Sequence, residues 1–178
     1  MGAGILGRMD DQVRDGVDAL VPGWERDGMS PSLIAITELG KRVARLNQAL
    51  EQPLRAELAD RGLTYAEFDV LAALRRVGEP YRLKPSELTR ALFLTSGGTS
   101  NVLQRLTRAG YVERADNAAD ARSRWVQLTP DGLRVTNEAL KASGDVHADV
   151  MTGIPEPAVR AAADALRQIT AILDRRRR

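Results

Sequence analysis

The sequence predicts a mainly helical chain with one small antiparallel β ribbon past its middle. Three observations carry this. Ala, Arg and Leu are the commonest of the 178 residues, and only 4% are aromatic, a composition that favours helix. Apolar residues recur at steps of three and four along most of the chain. The segment from Tyr111 to Leu128 breaks that rhythm, with β-prone runs on either side of a cluster of Asp, Asn and Ala.

Bulk properties set bounds. The length suits one domain with a good core, or one domain with dimerisation arms. The formal net charge is +2, so any case for nucleic acid rests on local charge. There is no cysteine, which excludes disulfides, thiol nucleophiles and thiolate metal sites. A single histidine, His147, leaves no histidine pair for a metal, and it reads as a surface or interface residue. No metal or cofactor is expected. The opening MGAGILGRMDDQ lacks the apolar core of a secretory signal, and Leu6 stands where a myristoylation motif needs Ser or Thr. No apolar run spans a bilayer. A cytoplasmic protein without a membrane partner is expected.

The elements follow in order. Val13, Val17, Leu20 and Trp24 predict a short amphipathic helix from about Asp10 to Asp27, strained or ended near Pro22-Gly23. Ser30-Pro31 opens a long helix with Leu39, Val43, Leu46, Leu50, Leu54 and Leu58 on one stripe, bent at Pro53 and stopped by Gly62. Thr64-Tyr-Ala-Glu67 is a capping box, with Phe68, Leu71 and Leu74 behind it. Leu83-Lys84 is a short extended link. Pro85 starts a helix with Leu88 and Leu92, and Phe93-Leu94 makes a turn. Thr95 or Ser96 caps a second helix that ends at Gly110. Strands are expected at 111–114 and 124–128, joined by the turn-like run 116–120. Thr129-Pro130-Asp131 opens another helix, threaded by Leu133, Leu140, Val146 and Val150. The last helix starts near Glu156 and holds Val159, Ala162, Leu166, Ile169 and Leu173.

The two helices around Phe93-Leu94 and the ribbon after them form a winged helix-turn-helix, an arrangement that reads duplex DNA. In the second helix Thr99, Leu103 and Leu106 share the face that packs on Leu88 and Leu92. The opposite face presents Ser96, Gly97, Ser100, Asn101, Gln104, Arg105 and Arg108. Its small residues admit the helix N-terminus to a major groove, where Asn or Gln can pair with adenine. Arg105 and Arg108 suit phosphates. Arg122 and Arg124 stand at the ribbon's tip and return, where a narrow minor groove would attract them. Taken alone, the helix face also fits an ordinary solvated surface, and the ribbon arginines also fit pairing with Asp116 and Asp120.

The run SELTRAL, then TSGGTSNVLQRLTRAG, YVER, the wing pattern Asp120-x-Arg122-Ser123, and LTPDG resembles the MarR-type transcription regulators. The likeness covers roughly Leu33 to the C-terminus. It implies a dimeric architecture in which Arg122 enters the minor groove and Asp120 shapes the wing. Ala118 departs from the usual proline there. The apolar stripes of 33–58 and 156–173 have no partner in so small a DNA-binding module, which independently fits a homodimer. The expected division is 1–62, N-terminal and long dimerisation helices; 63–130, winged DNA-binding domain; and 131–178, C-terminal dimerisation helices.

The added N-terminal helix with its tryptophan further resembles the urate-responsive branch of that family. The likeness implies a ligand site of Trp24, Asp69 and Arg114. Arginine can grip a carboxylate with two donors, and Trp24 could stack on a flat ring. Trp24 also reads as a core anchor, and Asp69 with Arg114 as an ion pair. Val102 replaces a recognition-helix arginine of that branch, so urate is expected to act weakly or not at all, and another small anionic or aromatic effector is left open. The expected function is an effector-responsive regulator, more a repressor than an activator, binding a pseudo-palindromic double-stranded operator as a homodimer. The alternative is a dimer of the same fold acting as a scaffold or constitutive DNA binder. An enzyme is not expected, because TSGG lacks the lysine of a phosphate loop. Arg175–Arg178 reads as a solvated helix end.

Overall fold

The computed structural model describes residues 14–92, 95–117 and 120–176, and only the backbone of Ser96, Asp116, Asn117 and residues 120–124. The chain divides into two compact units, one ending at Gln52 and the other beginning at Pro53.

In the first unit a 3-10 turn at Asp18–Leu20 precedes α1 (Val21–Arg26), and α2 (Pro31–Ala59) follows. The expected helix over 10–27 is thus reduced among its described residues to one turn and a short helix. Pro22 lies in the first turn of α1 rather than ending a helix. Proline is tolerated there because a first-turn amide needs no intrahelical acceptor. Val13 lies outside the described residues. The N-terminal segment is fastened to α2 through Arg42. Its guanidinium meets Asp15 at 3.2 Å, Asp18 at 2.8 Å and Glu38 at 2.8 Å. The hydrogen bonds that Arg42 donates to Glu38 and Asp15 raise its pKa further above the ordinary range. Desolvation would raise the Asp15 carboxyl, but the Val17 amide, Arg42 and the Asp18 amide outweigh it and hold Asp15 below its ordinary value.

The second unit takes up α2 at Pro53, and the helix is continuous across that proline. Leu54 and Leu58 are fully buried. α3 (Tyr65–Arg76) starts at the predicted capping box, in which the Glu67 carboxylate accepts the Thr64 amide at 2.7 Å. α3 supplies the centre of the core with Phe68, Val70, Leu71 and Leu74. Next come β1 (Arg82–Leu83), α4 (Pro85–Ala91), α5 (Ser96–Arg108), β2 (Val112–Asn117), β3 (Asp120–Leu128), α6 (Pro130–Val150) and α7 (Glu156–Arg176).

The ribbon is a three-stranded antiparallel sheet in the order β1-β3-β2. The expected link at Leu83 is a strand, its backbone satisfied by pairing Arg82 with Gln127 and Leu83 with Val126. β2 and β3 also run further than expected, to Asn117 and from Asp120. Phe93, Leu94, Ala118 and Ala119 lie outside the described residues.

α6 corrects another expectation. Its buried face is Gly132, Val135, Thr136, Ala139, Ala142 and Ser143, while Leu140 is exposed. Small residues let the α6 backbone approach its neighbours closely. The approach is tightest at its N-terminus, where a Cβ on Gly132 would lie 1.9 Å from the Tyr111 carbonyl oxygen. Thr129 closes the same corner. Its amide donates to the Tyr111 carbonyl at 3.1 Å, its hydroxyl donates to the Gly110 carbonyl at 2.7 Å, and its oxygen accepts the Gly132 amide at 3.0 Å. α7 buries none of its residues.

Gly132→Ala is expected to cost at least about 2 kcal/mol, since backbone rather than a flexible side chain must move. Gly144→Ala on the same helix meets nothing within 4 Å and is expected to be neutral or to stabilise by up to about 1 kcal/mol. Denaturant unfolding of the two variants checks this.

The Asp15 fastening is expected to be acid-sensitive. A carboxyl held low when folded binds protons more weakly than when unfolded. Its contribution is therefore complete above about pH 4 and is lost as pH falls through the lower folded value. An NMR titration of the Asp15 carboxyl is expected to show a depressed midpoint that rises in Arg42→Ala.

Candidate nucleic-acid interface

α5 has two sharply different faces. Inward, Leu106 and Thr99 are buried at 1% and 2% exposure, and the facing Leu88 of α4 at 0%. The Thr99 hydroxyl donates to the Thr95 carbonyl at 3.0 Å and accepts from the Thr89 hydroxyl at 2.9 Å, joining α5 to α4. Thr95 caps the helix by accepting the Gly98 amide at 3.1 Å. Gly110, at φ +75°, ends it.

Outward, Gly97, Ser100, Asn101, Gln104 and Arg108 are all exposed on one surface. The expected base-reading and phosphate-binding residues are therefore brought together, apart from Ser96, whose side chain is outside the description. A Cβ at Gly97 would meet nothing within 4 Å, so its lack of a side chain leaves space for a partner rather than relieving a clash within the fold.

Arg105 differs from its neighbours. Its Nε lies 2.9 Å from a carboxylate oxygen of Glu67, a residue on α3 that is only 5% exposed. The sequence marked Glu67 only as a capping residue. A 38-residue separation carries no local signal for an ion pair.

The wing strands pair Asp116 with Arg124 and Asn117 with Asp120, with a register shift between Asp116 and Asn117. The side chains of Asp120, Arg122 and Arg124 lie outside the described residues.

Of the expected ligand residues, Arg114 is exposed on β2 opposite Val126. It lines a cleft of about 470 Å³ whose other walls include Pro85, Ser100, Gln104, Arg108 and Trp125. The Trp125 indole N–H is buried with no hydrogen-bond partner among the described residues. Arg82 and Lys84 each lie 5.1 Å from the Trp125 ring centroid, within cation–π range. Sequence reading passed over Trp125 as a strand residue, because nothing in a lone β-strand tryptophan shows what faces it. Asp69 is half-buried on α3 and is not a wall of this cleft. Trp24 belongs to the first unit, half-buried, with the Lys41 ammonium 6.0 Å from its ring. Val102 packs against the core. Among the described residues, no cluster of His, Asp and Glu could hold a metal, and no helix is long and apolar enough to cross a membrane.

Comparison with known proteins agrees with this geometry. A family model described as the MarR family matches residues 61–123. The chain is 31% identical over 116 residues to the multiple antibiotic resistance protein MarR of Salmonella typhimurium, covering 65% of this chain and 78% of that one. It is 27% identical over 140 residues to the HTH-type transcriptional regulator PecS of Dickeya dadantii, covering 79% and 84%. Its fold matches a mutant MarR of Escherichia coli solved in complex with operator DNA, with a TM-score of 0.68 at 27% identity, covering 79% of this chain and 99% of that one. These relatives are regulators, not enzymes. The chain belongs to the MarR family of DNA-binding transcriptional regulators, and its winged helix-turn-helix is the fold of that family.

Proposed function

We propose that this protein is a homodimeric repressor that binds a pseudo-palindromic operator and is released by a small anionic or aromatic effector. The observation that carries the reading is the division of α5 into a buried face and a small, polar outer face. Asn101 and Gln104 read base edges, and Ser100 and Gly97 permit close approach. Ser96 lies at the same N-terminal turn. Arg105 and Arg108 bind phosphates. Arg122 and Arg124 enter the flanking minor groove, and Asp120 shapes the wing that carries them.

Dimerisation is supported by large apolar side chains left in the open. Leu33, Ile36, Val43 and Leu46 on α2, and Val159, Ile169, Ile172 and Leu173 on α7, are each about two-fifths exposed or more. An apolar face of that extent calls for a partner. In this reading residues 1–62 and 131–178 hold the dimer together, and 63–130 bind DNA.

The effector contacts carried over from the urate-responsive branch are Trp24, Asp69 and Arg114, with α1 as the branch's added helix. The cleft beside Arg114 supports that member of the set and adds Trp125. It shares Ser100, Gln104 and Arg108 with the DNA-facing surface, so an occupant there would oppose operator binding directly. A tenfold release needs about 1.4 kcal/mol of differential affinity. Val102 leaves urate with weak action or none.

Sedimentation at micromolar concentration is expected to give a dimer. Selection from random duplexes is expected to recover two half-sites about 34 Å apart. Arg122→Ala is expected to reduce the salt slope of binding by roughly one unit while preserving the selected sequence. Gln104→Ala is expected to relax preference at one or two base pairs by about 1–3 kcal/mol each. A monomer with full affinity, or an unchanged slope in Arg122→Ala, would contradict the assignment.

Tryptophan quenching with a panel of aromatic carboxylic acids is expected to identify a ligand that lowers operator affinity and binds at least tenfold more weakly to Arg114→Ala. In Trp125→Phe the quenching is expected to fall to what Trp24, the other tryptophan, contributes. Tight binding of urate, or a ligand indifferent to Arg114→Ala, would contradict the effector reading.

A further inference from the structure

We propose that Glu67 is a positioning residue for DNA recognition, its buried carboxylate fixing the rotation of α5 through Arg105. The proposal rests on the assignment of α5 as the DNA-reading helix.

The two carboxylate oxygens have separate duties. Oε2 accepts the Thr64 amide and the Thr64 hydroxyl, each at 2.7 Å. Oε1 lies 2.9 Å from Arg105 Nε. Glu67 is 5% exposed, and a carboxylate so enclosed is costly unless its acceptors are engaged. The contact therefore ties α5 to the first turn of α3, one of the best-buried elements in the molecule.

The rest of the α5 seat is less directional. Leu106 and Leu88 make apolar contacts, which constrain volume more than angle. A charge-assisted bond from a guanidinium constrains direction. Asn101, Arg105 and Arg108 lie at steps of four and three, on one stripe of the helix. Pinning the Arg105 stem thus sets where Asn101 and Arg108 point. Pairing is through Nε, and the Arg105 side chain remains 57% exposed, so its terminal amino groups stay at the surface that meets phosphate.

The test compares affinity for the duplex recovered by selection with affinity for a scrambled duplex of equal length, across a salt series, using the full-length protein. Glu67→Gln retains one acceptor oxygen, which can serve the Thr64 cap or Arg105 but not both. It is expected to weaken binding to the selected duplex about tenfold, with scrambled-duplex affinity and salt slope unchanged. Thr64→Ala damages the same cap without touching Arg105, and is expected to lower the melting temperature while preserving the selected-to-scrambled ratio. Arg105→Lys keeps the positive charge without the guanidinium, and is expected to reduce that ratio as Glu67→Gln does. It also serves if Glu67→Gln fails to fold. The proposal is overturned if Glu67→Gln or Arg105→Lys keeps the wild-type ratio, if both duplexes are lost equally, or if Thr64→Ala reduces the ratio as much. Wild-type protein that does not distinguish the two duplexes would instead remove the DNA-reading assignment, and the proposal with it.

Discussion

The seating of α5 on α3 and α4 is the constraint on which the rest depends. Leu106 and Thr99 are almost completely buried against a layer that includes Leu71, Leu74 and Leu88. Burying a leucine side chain contributes about 1.5–3 kcal/mol, and here it also decides which face of the helix is left outside. Both ends of α5 are closed separately, by the Thr95 cap and by the Gly110–Thr129 corner. A helix held along its inner face and at both ends can leave Ser100, Asn101 and Gln104 exposed, with no hydrogen bond of theirs needed among the described residues. Side chains so placed are the ones available to a partner.

The signals that proved legible are those with a local cause. Thr64, Thr95 and Thr129 announce helix starts through side-chain caps, and Gly62 and Gly110 mark ends by adopting positive φ. The buried stripes of α3 and α5 were readable because leucine and phenylalanine recur at helical spacing. What escaped depends on tertiary partners. β1 is two residues long, too short for any periodicity, and exists because β3 offers it a ladder. The inner face of α6 consists mostly of Gly, Ala, Ser and Thr, so Leu140 attracted the assignment while pointing outward. Glu67 and Arg105 were assigned local roles, a cap and a phosphate contact, because nothing in sequence tells that one carboxylate serves two elements. Trp125 gained significance only when the cleft around it was visible.

In the proposed mechanism the effector cleft and the DNA face share Ser100, Gln104 and Arg108. Regulation then needs no long conformational path, because an occupant of the cleft acts on the residues that meet DNA. The apolar faces of α2 and α7 serve a different purpose. In the proposed dimer a second copy covers them, which would set two recognition helices at a fixed separation. The Arg42 cluster belongs to this arm. It fastens the segment carrying α1 to α2 with three carboxylates around one guanidinium, and the exposure of these groups makes each pair weak individually.

In the proposed complex the outer face of α5 enters the major groove in two copies related by a two-fold axis. Methylation interference on the duplex recovered by selection tests it most directly, because dimethyl sulfate marks guanine N7 in the major groove and adenine N3 in the minor groove. Interference is expected from guanine N7 in two symmetric clusters about one helical turn, ~34 Å, apart, flanked by adenine N3 interference where the wings lie. Interference confined to the minor groove, or a single asymmetric cluster, would contradict it.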